Sequence, residues 1–145
     1  MAKGASQLNR SAMHLLHRAG QCATDIFASE ARASGLTPRQ FAVLMAVSEE
    51  EGLTQTDLVE RTGIDRSTLA DIVGRLLSHG LIQRRRAKED ARAYAIKLTP
   101  QGAKVLREAQ PGAAVADTRL LANLPPARRQ DFLDSLSLIV TTARK

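Results

Sequence analysis

Four residues, Thr62-Gly63-Ile64-Asp65, constrain the fold of this chain more than any other stretch. Before them, Thr54-Gln55-Thr56-Asp57 supplies a helix cap for a short segment that ends near Thr62-Gly63; after them, Asp65 caps a second helix. The second helix places Leu69, Ile72, Val73, Leu76 and Leu77 on one face and stops at His79-Gly80, where glycine accepts the left-handed conformation. Two short helices on so tight a linker make a helix-turn-helix. Directly afterwards, Leu81-Ile82-Gln83-Arg84-Arg85-Arg86 and Arg92-Ala93-Tyr94-Ala95-Ile96-Lys97-Leu98 read as strands around a polar turn holding Lys88, Glu89 and Asp90, which is a hairpin, or wing.

The flanks read as helices. Over 8–33, apolar residues recur at Leu8, Ala12, Leu15, Leu16, Ala19, Cys22, Ala23, Ile26 and Phe27, which predicts one long amphipathic helix, too long for a small domain alone to cover. Thr37-Pro38-Arg39-Gln40 combines a capping hydroxyl, a first-turn proline and a glutamine able to close a capping box, and opens a helix to about Ser48. Leu53 is expected to be briefly extended. Thr99-Pro100 opens another helix, which Pro111-Gly112 is expected to kink or break before it resumes to about Asn123. A last helix starts around Pro125-Pro126 with Phe132, Leu133, Leu136, Ile139 and Val140 on its apolar side. A chain of 145 residues fits one domain, and with 43% hydrophobic but only 3% aromatic residues its core must come from Leu, Ile, Val and Ala. The expected class is mainly α with a small β-hairpin wing.

The net charge of +6 is concentrated. Within 75–97 lie Arg75, Arg84, Arg85, Arg86, Lys88, Arg92 and Lys97 against only Glu89 and Asp90. Such a cluster suits phosphate neutralisation, although acidic membranes attract the same pattern. No window is apolar enough to span a bilayer and no secretory signal is evident, so a cytoplasmic protein without membrane partners is expected. The single cysteine, Cys22, cannot form an internal disulfide. His14, His17 and His79 are joined to no recognisable nucleophile, metal motif or phosphate loop, so neither an enzyme nor a metal or other cofactor is expected.

The order of elements, with Leu36-Thr37-Pro38-Arg39-Gln40-Phe41, Leu53-Thr54-Gln55, Asp65-Arg66-Ser67-Thr68, His79-Gly80-Leu81-Ile82 and Asp90-Ala91-Arg92, resembles the MarR family of transcription regulators over most of the chain. The Asp-x-Arg wing followed by Leu98-Thr99 and Gly102 is its most specific part. The resemblance implies a homodimer held by the N- and C-terminal helices, each subunit placing one recognition helix and one wing on an inverted-repeat operator. It also implies a small anionic or aromatic effector bound between the two regions. On that basis 1–145 form one domain, with 36–98 the winged helix-turn-helix that binds DNA and 8–34 and 100–143 the helical dimerisation region.

In the helix after Asp65, the face opposite the apolar stripe carries Ser67, Ala70, Asp71, Gly74 and Ser78, with Arg66, Thr68 and Arg75 at its margins, and is assigned to the major groove. Ser67 and Thr68 suit phosphates or base edges; Arg66 and Arg75 suit guanine or backbone. Asp71 can accept from cytosine N4 or pair with Arg75 four residues on. Asp71 and Gly74 are smaller or more acidic than the resemblance leads one to expect. Thr54 and Gln55 at the start of the preceding helix complete the helical part of the site. From the wing, Arg92 can enter a narrowed minor groove with Asp90 steadying it, against the plainer reading of 88–92 as a solvated turn. Lys88, Arg84 and Arg86 are further backbone contacts, since only alternate members of the arginine run can face one way on a strand.

On the first helix, His14, His17 and Arg18 lie off the main stripe and suit an anionic effector. Cys22, on the stripe, is expected to be buried; a cysteine-based redox sensor is the alternative it supports, with no tyrosine near it in sequence to activate the thiol. A winged-helix protein-interaction module that does not bind DNA is the other rival, kept open by Asp71 and Gly74.

Overall fold

A computed structural model of the chain describes residues 6–86 and 94–143. Its elements are α1 (Ala12–Glu30), α2 (Pro38–Glu49), α3 (Gln55–Thr62), α4 (Arg66–Ser78), β1 (Ile82–Arg86), β2 (Tyr94–Leu98), α5 (Pro100–Leu121) and α6 (Pro126–Thr142), with one-turn 3-10 helices at Leu8–Arg10 and Arg32–Ser34. The fold is a winged helix with helical extensions, as the sequence predicts.

The caps act where the sequence places them. Thr37 and Gln40 close a capping box at 3.1 and 3.0 Å, as do Thr54 and Asp57 at 3.2 and 2.9 Å. Asp65 accepts from the Thr68 N–H at 3.1 Å, and Thr99 accepts from Gly102 at 3.0 Å. α4 ends with the Leu81 N–H returned to the Leu76 carbonyl at 3.0 Å, Gly80 standing at φ 71°. The N-terminal caps satisfy backbone donors that the first turn of a helix otherwise leaves open, and the Leu81 N–H satisfies a carbonyl left open in the last turn of α4.

Two expectations are corrected. The single helix over 8–33 is divided, because Ser11 is extended (φ −80°, ψ 121°) and its hydroxyl accepts from the His14 N–H. A serine that caps offers the backbone an alternative to continuing the helix, so α1 begins there and the preceding turn is a separate 3-10 segment. At the other end, α5 runs unbroken through Pro111. The next residue is closely packed: a Cβ on Gly112 would lie 2.3 Å from the Glu30 carbonyl oxygen and 3.1 Å from the Ala31 Cα. The backbones of α1 and α5 therefore meet at Gly112, and the helix is not broken at Pro111 although proline donates no hydrogen bond.

β1 and β2 form an antiparallel pair with Ile82 opposite Leu98, Arg84 opposite Ile96 and Arg86 opposite Tyr94. The Ile96 N–H donates to the Leu53 carbonyl at 2.8 Å, so the expected extended residue extends the hairpin's hydrogen bonding to the start of α3. The main core joins α2, α3, α4, the hairpin and the first half of α5 through Leu44, Leu58, Leu69, Leu76 and Ile96, each buried. The foot of α5 fits because Gly102 lacks a side chain: a Cβ there would stand 1.8 Å from the Leu81 carbonyl oxygen. A second, smaller cluster of Phe27, Ala31 and Ala116 fastens the end of α1 to α5, with the Phe27 ring 5.5 Å from that of Phe41 on α2. α6 buries no residue.

Candidate nucleic-acid interface

α4 is amphipathic in the way its sequence requires. Leu69, Ile72, Val73 and Leu76 are buried, while Arg66, Ser67, Ala70, Asp71, Gly74, Arg75 and Ser78 are exposed and Thr68 is half-buried. Nothing in the described chain covers this outer face, which is small in profile because Ala70 and Gly74 lie along its centre. Asp71 and Arg75 form no ion pair; the ion pairs among the described residues are Arg61 with Glu50 and Arg119 with Glu30.

The start of α4 is electrostatically tuned. The Thr68 hydroxyl, the Thr68 backbone N–H and, more weakly, the charge of Arg39 hold the Asp65 carboxyl below its ordinary value of 3.8. The ionised Asp65 caps the helix through the Thr68 N–H, and it also feels the charge of Arg39, exposed in the first turn of α2. Arg39 was not among the residues singled out in the sequence as part of the site; its position two residues after the Thr37 cap gave no hint of an electrostatic link to the start of α4.

Two side-chain bonds join the parts of the surface. Arg84 on β1 donates to Gln55 Oε1 at 3.1 Å, and Arg66 on α4 donates to Thr56 Oγ1 at 3.5 Å. Both guanidinium groups are thus directed to the first turn of α3, beside the Thr54 cap. Thr56 is a second residue the sequence reading passed over, having counted only as part of a cap. Cross-strand pairing puts Arg84 and Arg86 on one face of the hairpin, with Arg85 on the other, the alternation the sequence requires. The Arg86 guanidinium lies over the Tyr94 ring, 5.6 Å from its centre. Lys88 and Arg92, and Asp90 beside them, lie outside the described residues.

The candidate effector and redox residues lie elsewhere. His14 is half-buried and His17 and Arg18 are exposed along the N-terminal half of α1. Among the described residues, a cleft of about 190 Å3 opens at the junction of α1, α2 and α5, lined by Ala23, Thr24, Phe27, Pro38, Ala116, Asp117 and Leu120, so none of those three α1 residues lines it. Cys22 is exposed, not buried as expected. The reason is that only the C-terminal end of α1, at Ile26 and Phe27, packs on the chain's own core, leaving the rest of the stripe uncovered. A wider, open cleft of about 440 Å3 is lined by Glu50, Glu51, Gly52, Leu53, Asp57, Glu60 and Arg61; its carboxylates repel phosphate. Among the described residues no group of three or more His, Cys, Asp or Glu side chains gathers in metal-binding geometry, and no helix is long and apolar enough to cross a membrane.

Known proteins share this arrangement. The MarR family model matches residues 34–93. The transcriptional regulator HosA of Escherichia coli O127:H6 is 30% identical over 107 residues, 74% of this chain and 79% of HosA. Bordetella bronchiseptica BpsR, solved in a study of how 6-hydroxynicotinic acid regulates its DNA binding, superposes with a TM-score of 0.87 at 29% identity, covering 94% of this chain and 98% of BpsR. The transcriptional repressor CouR, bound to a 23-mer DNA duplex, superposes with a TM-score of 0.85 at 27% identity over 97% of this chain and 99% of CouR. With the family model matched over 34–93 and a transcriptional regulator 30% identical over 74% of this chain, the chain belongs to the MarR family of transcriptional regulators.

Proposed function

We propose that this chain is a homodimeric, DNA-binding repressor that docks on an inverted-repeat operator and is released by a small anionic or aromatic effector. The observation that carries the reading is the uncovered polar face of α4 beside an arginine-bearing strand, both tied to the first turn of α3. α4 enters the major groove with Ser67, Thr68 and Asp71 toward bases or phosphates and Arg66 and Arg75 at its margins; Thr54 and Gln55 stand at the edge. Arg84, Arg86 and Lys88 neutralise backbone, and Arg92 reaches the minor groove from the wing tip. CouR's duplex complex supports this docking.

The dimer is proposed from the apolar surface that the chain leaves open at its ends: Leu8, Met13, Leu15 and Leu16 near the start, Leu133, Ile139 and Val140 on α6. Two copies burying these surfaces space two recognition helices for the two halves of an operator. The dimerisation region is then 8–34 with 100–143, and the DNA-binding region 36–98. The effector acts at the junction of the two. The cleft between α1, α2 and α5 touches both, and the regulation of BpsR by 6-hydroxynicotinic acid supports an aromatic acid. His14, His17 and Arg18 lie outside this cleft within one subunit, so they hold the acidic group only where the second subunit extends the site along α1.

Selection of duplexes from a random pool, followed by a screen of aromatic acids and acyl thioesters for release of the winning site, tests both halves of the proposal. A selected palindrome bound in the nanomolar range at physiological salt and released by one of these compounds is the expected result. Weak binding, insensitive to salt, for every duplex defeats it in favour of a protein-interaction module.

A further inference from the structure

Gln55 occupies a place at which its side chain cannot act independently of the wing. It is the first residue of α3, its backbone fixed between the reciprocal bonds of Thr54 and Asp57, and it is half-buried whereas Arg84 is exposed. Its carboxamide oxygen accepts from Arg84 Nη2 at 3.1 Å. Two residues earlier, the Leu53 carbonyl accepts from Ile96, the residue directly opposite Arg84 in the hairpin. The strand pair is therefore fastened to the start of α3 twice, once through β2 by backbone and once through β1 by side chain.

The chemistry of the second fastening is selective. A neutral amide accepts a hydrogen bond without cancelling the charge of its donor, so Arg84 keeps its full positive charge and its remaining N–H donors for a phosphate. A carboxylate in the same place would hold the guanidinium as well but neutralise it. An arginine held in advance also loses less side-chain freedom when it docks.

We infer that Gln55 is a positioning residue for DNA docking: it sets Arg84, and through it the hairpin, relative to α4, instead of reading DNA itself. The inference rests on the proposal that this face docks DNA. It assigns to Gln55 a role that the sequence alone did not distinguish from direct contact.

The test is a double-variant cycle on the full chain with a duplex selected from a random pool, titrated with salt. Arg84→Ala is expected to lower the slope of log affinity against log salt by about one unit. Gln55→Met keeps the side-chain volume but removes the acceptor, and is expected to weaken binding about fivefold and to lower the slope in the same direction. In the Arg84→Ala background, Gln55→Met should cost nothing further, with thermal midpoints unchanged throughout. Additive losses, a full-slope Gln55→Met protein, or a loss that follows a lowered midpoint each overturn the positioning role and leave DNA docking standing. A wild-type chain that shows no salt-dependent duplex binding overturns both.

Discussion

Leu44, Leu58, Leu69, Leu76 and Ile96 are sealed from solvent by α2, α3, α4 and the hairpin, whereas on α6 Val140 is 71% exposed and Ile139 48%. The two regions are built from the same kinds of residue. They differ in where the complementary surface is. In the winged unit each apolar face finds its partner within the stretch 38–98, from the start of α2 to the end of β2, which is enough to close a small hydrophobic core. In α1 and α6 apolar residues also recur, but α5 and the first turn of α2 cover only the C-terminal end of α1, and α6 buries no residue. An amphipathic helix that its own chain leaves uncovered presents the apolar surface that a second copy can bury.

The largest effect that sharpens this contrast is expected from the uncovered side. Charging the α6 stripe in the double variant Leu133→Glu, Val140→Glu should convert the dimer to monomer in sedimentation and reduce operator affinity by more than about a hundredfold, since each half-site then binds alone. The hydrogen-exchange protection of α4 should survive. A dimer that persists in the double variant removes α6 from the association surface.

The sealed side should respond in folding instead. Leu69→Ala is expected to cost about 3 kcal/mol of stability in urea denaturation, because it leaves a cavity where no solvent enters. Gly102→Ala should cost a similar amount, about 3 kcal/mol, since a Cβ 1.8 Å from the Leu81 carbonyl forces backbone to move. Gly112→Ala meets the Glu30 carbonyl at 2.3 Å and is expected to cost less, about 1–2 kcal/mol, because the α1 end it displaces belongs to the smaller cluster. If Gly112→Ala proves the more damaging, the junction of α1 and α5, and not the winged unit, is the foundation of the fold.

The smallest effect is electrostatic and confined to the winged unit. Asp65 has its carboxyl pKa lowered on folding, so its contribution is present above the ordinary value of 3.8 and is lost as pH falls through the lower folded value. An Asp65→Asn variant should therefore be less stable than wild type at neutral pH, and the difference should narrow only as pH falls below about 3.8. Denaturant melts at stepped pH measure this. A constant difference across that range would mean that the cap acts without its charge.

Local signals carried much of the architecture. The caps at Thr37, Thr54, Asp65 and Thr99, the turn at Thr62-Gly63-Ile64-Asp65 and the buried stripe of α4 were all legible, because each depends on residues within four positions of one another. Where a local signal competed with another, the reading erred: Ser11 acts as a cap and divides the first helix, although the apolar spacing runs straight across it. Pro111 was legible as an obstacle to a helix, yet α5 continues through it, and α1 approaches closely at Gly112.

What the sequence determined by itself is the winged helix-turn-helix, the concentration of positive charge in and beside the wing, and the two amphipathic flanks; periodicity, caps and charge are written in neighbouring residues. What only the tertiary structure decided is which of those residues meet. The bonds from Arg84 to Gln55 and from Arg66 to Thr56 cross 29 and 10 positions, and the exposure of Cys22 depends on helices that fail to cover it. Such relations follow from the closing of the core around Leu58 and Ile96, which fixes distances between segments that no spacing along the chain records.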